Sequence, residues 1–114
     1  MEPTQVEKTN ILKFSAVKSR KAAVPAPSKV SCKMSNGGTE VSWTKVAGAS
    51  GYVIYRNGSA VKTVKSSVLT WKDTKAYDSQ TGMYWVYNYY VKAFKTVNGK
   101  RIYSKPTKTI NLYS

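Results

Sequence analysis

The chain has 114 residues, enough for one domain with a short appendage, and 41% of them are hydrophobic and 12% aromatic. Nineteen Lys and Arg residues oppose five Asp and Glu residues, and the formal net charge of +14 favours association with anionic partners. The lack of His and the single Cys32 exclude an internal disulfide and argue against a zinc or haem centre, so we expect no cofactor. No apolar run approaches the length of a transmembrane helix, so we expect no membrane-spanning segment.

Residues 1–24 are predicted to be a basic, linker-like extension. The run 22–27, AAVPAP, alternates proline with small residues, as extended and semi-rigid linkers do. A second interpretation is open, in which the apolar patch at 11–17 forms a strand that joins this domain or a neighbouring one. The first ten residues lack the basic-then-apolar pattern of a signal peptide, which indicates either a protein that is not exported or a fragment of a longer chain.

Residues 25–114 carry the pattern of an antiparallel β-domain. Polar and apolar residues alternate in short runs separated by turn residues, and no run shows sustained helical periodicity. Seven strands with turns at this spacing predict a seven-stranded antiparallel β-sandwich. The predicted strands lie at 30–32, 40–44, 52–56, 60–64, 68–73, 84–94 and 101–112.

Turn residues indicate how these strands connect. Asn57-Gly58 and Asn98-Gly99 are strong hairpin signals, because both residues of each pair tolerate a positive φ. The run Ser35 to Gly38, SNGG, predicts a further turn. Pro106 suggests an edge position or a bulge for the last strand, because proline has no N–H to give to a neighbouring strand.

The period-two alternation divides the large side chains into an interior and an exterior set. The predicted core residues are Trp43, Tyr52, Ile54, Trp71, Tyr89 and Val91. The predicted exterior residues are Tyr55, Tyr90, Lys92 and Phe94. Aromatic rings rimmed by cations could stack sugar rings, bind a protein or stack bases. Alternatively, lysine stems or a neighbouring domain could cover these rings.

The long connection that follows Asp73 supplies a second candidate surface. It combines aromatic rings with short polar groups, as sugar-contacting and peptide-contacting loops do. Trp85 has a second interpretation, in which its ring closes the bottom of the core. The candidate residues are Tyr77, Asp78, Gln80, Tyr84 and Trp85.

The sequence contains no pattern that points to catalysis. Acid–base chemistry needs two titratable groups in one pocket; Asp73 and Asp78 lie close in sequence, but Asp73 is accounted for as a strand-end or turn residue. Ser-x-x-Lys occurs three times, as chance allows with so many lysines, and never at a helix start, where such nucleophiles work. We therefore expect a protein that is not an enzyme. Sixteen of the nineteen basic residues are Lys, whereas Arg is typical of bidentate phosphate and base recognition, so specific nucleic-acid binding is not expected.

Several motifs between Pro25 and the C-terminus occur together in a known order. They are Pro25-x-Pro27, Val41-Ser42-Trp43, Ala49–Arg56, Asn57-Gly58, Trp71–Thr74, Tyr89–Ala93 and Gly99 leading to Ser104. In this order and spacing, residues 25–114 resemble a fibronectin type III domain of the bacterial kind. The connection between Trp71 and Tyr89 is several residues longer than is usual in that family.

The resemblance implies an immunoglobulin-like fold and a set of roles. Trp43 would be the central core residue of the smaller sheet, and Tyr89 a tyrosine-corner residue whose hydroxyl bonds backbone near the preceding turn. Such modules are mostly non-catalytic, and in bacteria they serve as spacers or accessory binding and adhesion domains of secreted or surface proteins. The implied location is therefore extracellular or at the cell surface, within a longer chain.

The resemblance also implies particular partners. These are neighbouring domains of the same chain and a protein or polysaccharide ligand, with the isolated domain monomeric. A different interpretation follows from the charge, namely a basic module that binds an anionic polymer, either nucleic acid or cell-wall polymer, through Lys and exposed aromatic residues.

Overall fold

Alternating polar and apolar residues build nine strands in the computed structural model, which describes residues 23–114. The predicted extension at 1–24, with its candidate strand at 11–17, lies outside these residues except for its last two positions. In chain order the strands are β1 (Val30–Ser35), β2 (Gly38–Trp43), β3 (Gly51–Arg56), β4 (Ser59–Lys65), β5 (Thr70–Asp73), β6 (Tyr77–Asp78), β7 (Met83–Tyr84), β8 (Tyr89–Val97) and β9 (Lys100–Tyr103). A single turn of 3-10 helix, Thr74–Ala76, separates β5 from β6. Between residues 23 and 114, no helix has the length and hydropathy needed to cross a membrane.

The strands form two packed sheets and a small ribbon. One sheet has three strands in the order β1-β2-β5, the other has four in the order β4-β3-β8-β9, and β6 pairs with β7 in the ribbon. Every pairing is antiparallel. The predicted all-β antiparallel architecture is confirmed.

Two of the predicted hairpins have the geometry that their sequence requires. Asn57 and Gly58 have φ of 51° and 86°, and Asn98 and Gly99 have φ of 52° and 79°. Positive φ at both central residues defines the type I′ turn, whose twist matches that of the flanking strands. The Asn-Gly predictions for β3–β4 and β8–β9 are confirmed.

Trp43 and Tyr52 join the two sheets at the centre of the core. Their ring centroids lie 5.7 Å apart at an interplanar angle of 54°, a tilted arrangement that suits the quadrupoles of both rings. Tyr52 also accepts a hydrogen bond from the backbone N–H of Val46 at 2.9 Å, which satisfies its buried hydroxyl. The fully or almost fully buried side chains around this pair include Val41, Ile54, Tyr89, Val91 and Ala93, whereas Trp71 is only partly buried and packs against their edge.

The last predicted strand, 101–112, is wrong in its length. Regular pairing with β8 ends at Tyr103, and the chain then follows β8 through spaced contacts. The hydroxyls of Ser104 and Thr107 accept hydrogen bonds from the backbone N–H groups of Ala93 and Val91, at 2.9 and 3.0 Å. The backbone N–H groups of Ser104 and Thr107 donate in return to the carbonyls of Ala93 and Val91, at 2.8 and 2.9 Å, so each residue makes a reciprocal pair of contacts with β8.

The predicted strand at 84–94 is divided by the structure. Tyr84 ends the ribbon, residues 85–88 are irregular, and β8 begins only at Tyr89. The backbone N–H of Trp85 donates to the carbonyl of Ala76 at 2.8 Å, which keeps this part of the run with the ribbon. Tertiary pairing therefore overrides a continuous aromatic pattern.

Candidate functional site

The two sheets differ strongly in charge. The three-stranded sheet contains two basic and two acidic residues, namely Lys33, Lys72, Glu40 and Asp73. The four-stranded sheet contains no acidic residue and seven basic ones, namely Arg56, Lys62, Lys65, Lys92, Lys95, Lys100 and Arg101. Among the strands of the two sheets, the positive charge is therefore concentrated in the four-stranded sheet.

Each of the three acidic residues among residues 23–114 has a partner, and only Asp73 pairs with a residue of that layer. Glu40 lies 3.6 Å from the ammonium of Lys33, and the carboxylate of Asp78 accepts the backbone N–H of Gln80 at 2.9 Å. Asp73 pairs with Arg56 at 2.9 Å. Within residues 23–114, the other six basic side chains of the four-stranded sheet therefore have no carboxylate partner.

Tyr55 and Tyr90 stack on the outer face of the four-stranded sheet. They are directly opposite in the β3–β8 register, and their ring centroids lie 4.7 Å apart at an interplanar angle of 14°. The Lys92 ammonium lies 5.1 Å from the centroid of Tyr55. All three side chains are partly exposed, so the structure brings these three predicted residues together.

This arrangement limits what the tyrosines can offer a ligand. Tyr90 covers one face of the Tyr55 ring, and the Lys92 ammonium lies close to the same ring. The phenol hydroxyls and the Lys92 ammonium are the polar groups of this partly exposed cluster. Such a surface favours ionic and hydrogen-bond contacts with an anionic chain over the stacking of a sugar or a base.

Phe94 lies on the same face of the sheet as Tyr90 and Lys92, as expected, but the expectation that its side chain is exposed is wrong, because the side chain is buried. It lies opposite Gly51 in the register, and a Cβ at that glycine would come within 2.7 Å of the Phe94 ring. The ring therefore lies flat across bare backbone, as an aromatic residue can when its cross-strand neighbour is glycine. Arg101 and Tyr103 cover it from β9, with the guanidinium 4.4 Å and the tyrosine ring 5.9 Å from its centroid.

The predicted loop surface after Asp73 is an ordered ribbon. The rings of Tyr77 and Tyr84 lie 5.0 Å apart, and the Tyr84 hydroxyl donates to the backbone carbonyl of Ser35 at 2.6 Å. Both tyrosines are thus held by packing, while Gln80 lies in the exposed loop of the ribbon. Trp85 does not close the core, because 55% of its surface is exposed.

A buried polar cluster, formed by Arg56, Asp73 and Tyr89, was not foreseen. The carboxylate of Asp73 accepts hydrogen bonds from Nη1 of Arg56 at 2.9 and 3.0 Å and from the Tyr89 hydroxyl at 2.7 Å. It also accepts the backbone N–H of Lys75 at 3.2 Å, which caps the 3-10 turn. The expectation that the Tyr89 hydroxyl bonds backbone is therefore wrong.

The cluster also affects the ionisation of Tyr89. Burial, followed by the hydrogen bond to Asp73, raises the pKa of the Tyr89 phenol well above its ordinary value. Burial likewise raises the pKa of the Cys32 thiol. Both shifts disfavour the ionised form, which is the nucleophilic form of a phenol or a thiol.

The seven residues predicted for a ligand surface thus separate into sets. Tyr55, Tyr90 and Lys92 share the outer face of the four-stranded sheet, Phe94 is buried beside them, and the remaining three belong to the ribbon region. Across residues 23–114, no group of three or more Cys, Asp or Glu side chains is placed to hold a metal ion.

Comparison with known proteins supports the fold alone. Neither protein-family models nor curated proteins match this chain. Among solved structures, it is similar to the Clostridium perfringens spore cortex lytic enzyme SleM, with a TM-score of 0.58 and 18% identity. The match covers 78% of this chain and 28% of that one, so the chain spans less than a third of that protein's length.

Proposed function

We propose that this chain is a fibronectin type III-like, immunoglobulin-like module of a bacterial cell-surface or secreted protein, and that it acts as a non-catalytic accessory binding domain. The strand orders β1-β2-β5 and β4-β3-β8-β9 support the fold part of the proposal, because seven strands in two antiparallel sheets fit that architecture. The similarity to 28% of a longer bacterial protein is consistent with a module that is joined to others.

The observation that carries the binding role is the outer face of the four-stranded sheet. Tyr55, Tyr90 and Lys92 form a partly exposed cluster there, on a layer with no acidic residue. Long-range attraction to a polyanion follows from this asymmetry, and it weakens with salt because the Debye length is only about 8 Å at physiological ionic strength. The partner that fits is an anionic polymer of the bacterial cell wall.

Lysine chemistry favours this partner over a specific nucleic-acid site. Five of the seven basic residues of the four-stranded sheet are Lys, whose ammonium is a point charge without the planar fork of a guanidinium. Neither arginine belongs to the cluster of Tyr55, Tyr90 and Lys92, because Arg56 pairs with Asp73 of the other sheet and Arg101 lies over the ring of Phe94. The surface is thus suited to contacts with a densely charged anionic polymer and not to the recognition of particular bases.

Sedimentation with purified Gram-positive cell walls tests the proposal. We expect the domain to co-sediment with intact walls at low salt and to remain in solution when the anionic wall polymer has been stripped chemically. Lys92→Glu should weaken binding several-fold, whereas Lys45→Glu, the same charge change in an exposed position of the β2–β3 connection, should weaken it less. Equal retention on intact and stripped walls, or equal losses in the two variants, would contradict the proposal.

A further inference from the structure

A crevice opens beside the buried cluster of Arg56, Asp73 and Tyr89. Its volume is about 270 Å³, and it is lined by Arg56, Val61, Trp71, Asp73, Thr74 and Lys75. Val61 belongs to β4 and Trp71 to β5, which are edge strands of the two sheets. The crevice therefore lies where the sandwich is open at one side, away from the outer face occupied by Tyr55 and Tyr90.

Arg56 is held in place at the wall of this crevice. Both of its hydrogen bonds to Asp73 use Nη1, and its guanidinium carbon lies 5.4 Å from the centroid of the Tyr87 ring. Within residues 23–114, Nε and Nη2 have no hydrogen-bond partner, and the side chain is 20% exposed. These two nitrogens form a pre-positioned pair of donors that matches the geometry of a carboxylate.

The remaining lining supplies complementary chemistry. Trp71 is partly buried and offers an indole ring, Thr74 offers a hydroxyl, and Lys75 offers an exposed ammonium. Because Asp73 is neutralised by Arg56, the ammonium of Lys75 gives the crevice a net positive charge. An aromatic ring beside a cation and a hydroxyl is suited to a ring that carries both hydroxyls and a carboxylate.

We propose that this crevice binds one acidic sugar residue of the uronic acid type. The sugar ring would pack on Trp71, its carboxylate would bind Arg56 and Lys75, and a ring hydroxyl would bind Thr74. Ligand pockets of drug size begin at roughly 300 Å³, so a crevice of about 270 Å³ suits a single sugar unit. This site is separate from the sheet face and does not depend on the function proposed for it.

Titration of the domain with glucuronic acid, followed by two-dimensional ¹⁵N NMR, tests this inference. We expect the indole N–H signal of Trp71 and the amide signals of Thr74 and Lys75 to shift, and glucose at the same concentrations to leave them in place. Lys75→Glu should weaken binding at least tenfold, while Lys45→Glu and the double variant Tyr55→Ala/Tyr90→Ala should retain it. The dispersion of the spectra shows in each case that the variant is folded.

Three outcomes would overturn the inference. The first is the absence of shifts at these positions with glucuronic acid, and the second is an equal response to glucose. The third is an equal response to N-acetylglycine, because a site for any small carboxylate would not select the sugar. Loss of cell-wall binding in the tyrosine variant, with the glucuronic acid response intact, would separate this site from the sheet face.

Discussion

Replacement of Asp73 by alanine should be among the most destabilising single changes in the domain. The carboxylate is 1% exposed and accepts hydrogen bonds from three partners, which are the Arg56 guanidinium, the Tyr89 hydroxyl and the Lys75 backbone N–H. Its removal leaves the guanidinium, whose side chain is only 20% exposed, without its counter-charge. It also leaves the hydroxyl of Tyr89, which is 1% exposed, without an acceptor.

The cost can be worked from these contacts. Removal of one partner of a buried ion pair lowers the free energy of unfolding by about 3–5 kcal/mol. The partial exposure of Arg56 reduces this loss to about 2 kcal/mol. An unsatisfied buried hydroxyl adds about 1–3 kcal/mol. We therefore expect Asp73→Ala to lower the free energy of unfolding by roughly 3–5 kcal/mol, out of the 5–15 kcal/mol that is typical of a domain.

Urea denaturation followed by tryptophan fluorescence measures this loss. A lower midpoint with an unchanged dependence on urea would mean that stability has changed and the unfolded ensemble has not. Asp78→Ala is the matched control, because that carboxylate makes only a local contact with the Gln80 backbone and should cost less than about 1 kcal/mol. If the two variants lose the same free energy, the cluster around Asp73 does not stabilise the fold as described.

Three further outcomes follow from the same contacts. Gly51→Ala should lower the free energy of unfolding by roughly 3 kcal/mol, because the added Cβ would meet the Val64 carbonyl and would lie 2.7 Å from the Phe94 ring. A thermal midpoint within about 2 °C of the wild type would contradict this close approach. The raised pKa of Tyr89 means that its stabilising contribution is fully present below about pH 10 and is lost above it, because the unfolded phenol ionises first. Tyr89→Phe should therefore flatten the alkaline fall in unfolding free energy by up to about 1.4 kcal/mol per pH unit, and an unchanged slope would refute this. The raised pKa of Cys32 should make its alkylation by iodoacetamide at pH 8 slower than that of free cysteine, and an equal or faster rate would argue against its burial.

The hairpins and the core could be predicted from the sequence, because the patterns that indicate them are local. Asn-Gly pairs predict the type I′ turn directly, and period-two alternation predicts that Trp43 and Tyr52 lie in the interior. The burial of Phe94 could not be predicted from the sequence, because it depends on Gly51 lying opposite in another strand. Alternation predicts which side of a sheet a residue occupies, but it does not predict what covers it.

The Asp73 cluster shows the same limit for polar residues. Asp73 was assigned to a strand end or turn, and it does cap the 3-10 turn, but its main partners are 16 and 17 residues away in sequence. The packing of the two sheets decides that contact, since Asp73 ends β5 in one sheet and Arg56 ends β3 in the other. The aromatic run at 84–94 is likewise divided, because Tyr84 pairs with Tyr77 in the ribbon. No local sequence pattern predicts that pairing.

We propose that the outer face of the four-stranded sheet binds an anionic wall polymer. A ¹⁵N NMR titration with purified teichoic acid at low salt, repeated at high salt, tests it most directly. We predict shifts concentrated on Tyr55, Tyr90 and Lys92 that disappear as salt rises, with the three-stranded sheet unaffected. Shifts that concentrate on β1, β2 and β5, or that persist unchanged at high salt, would contradict the claim.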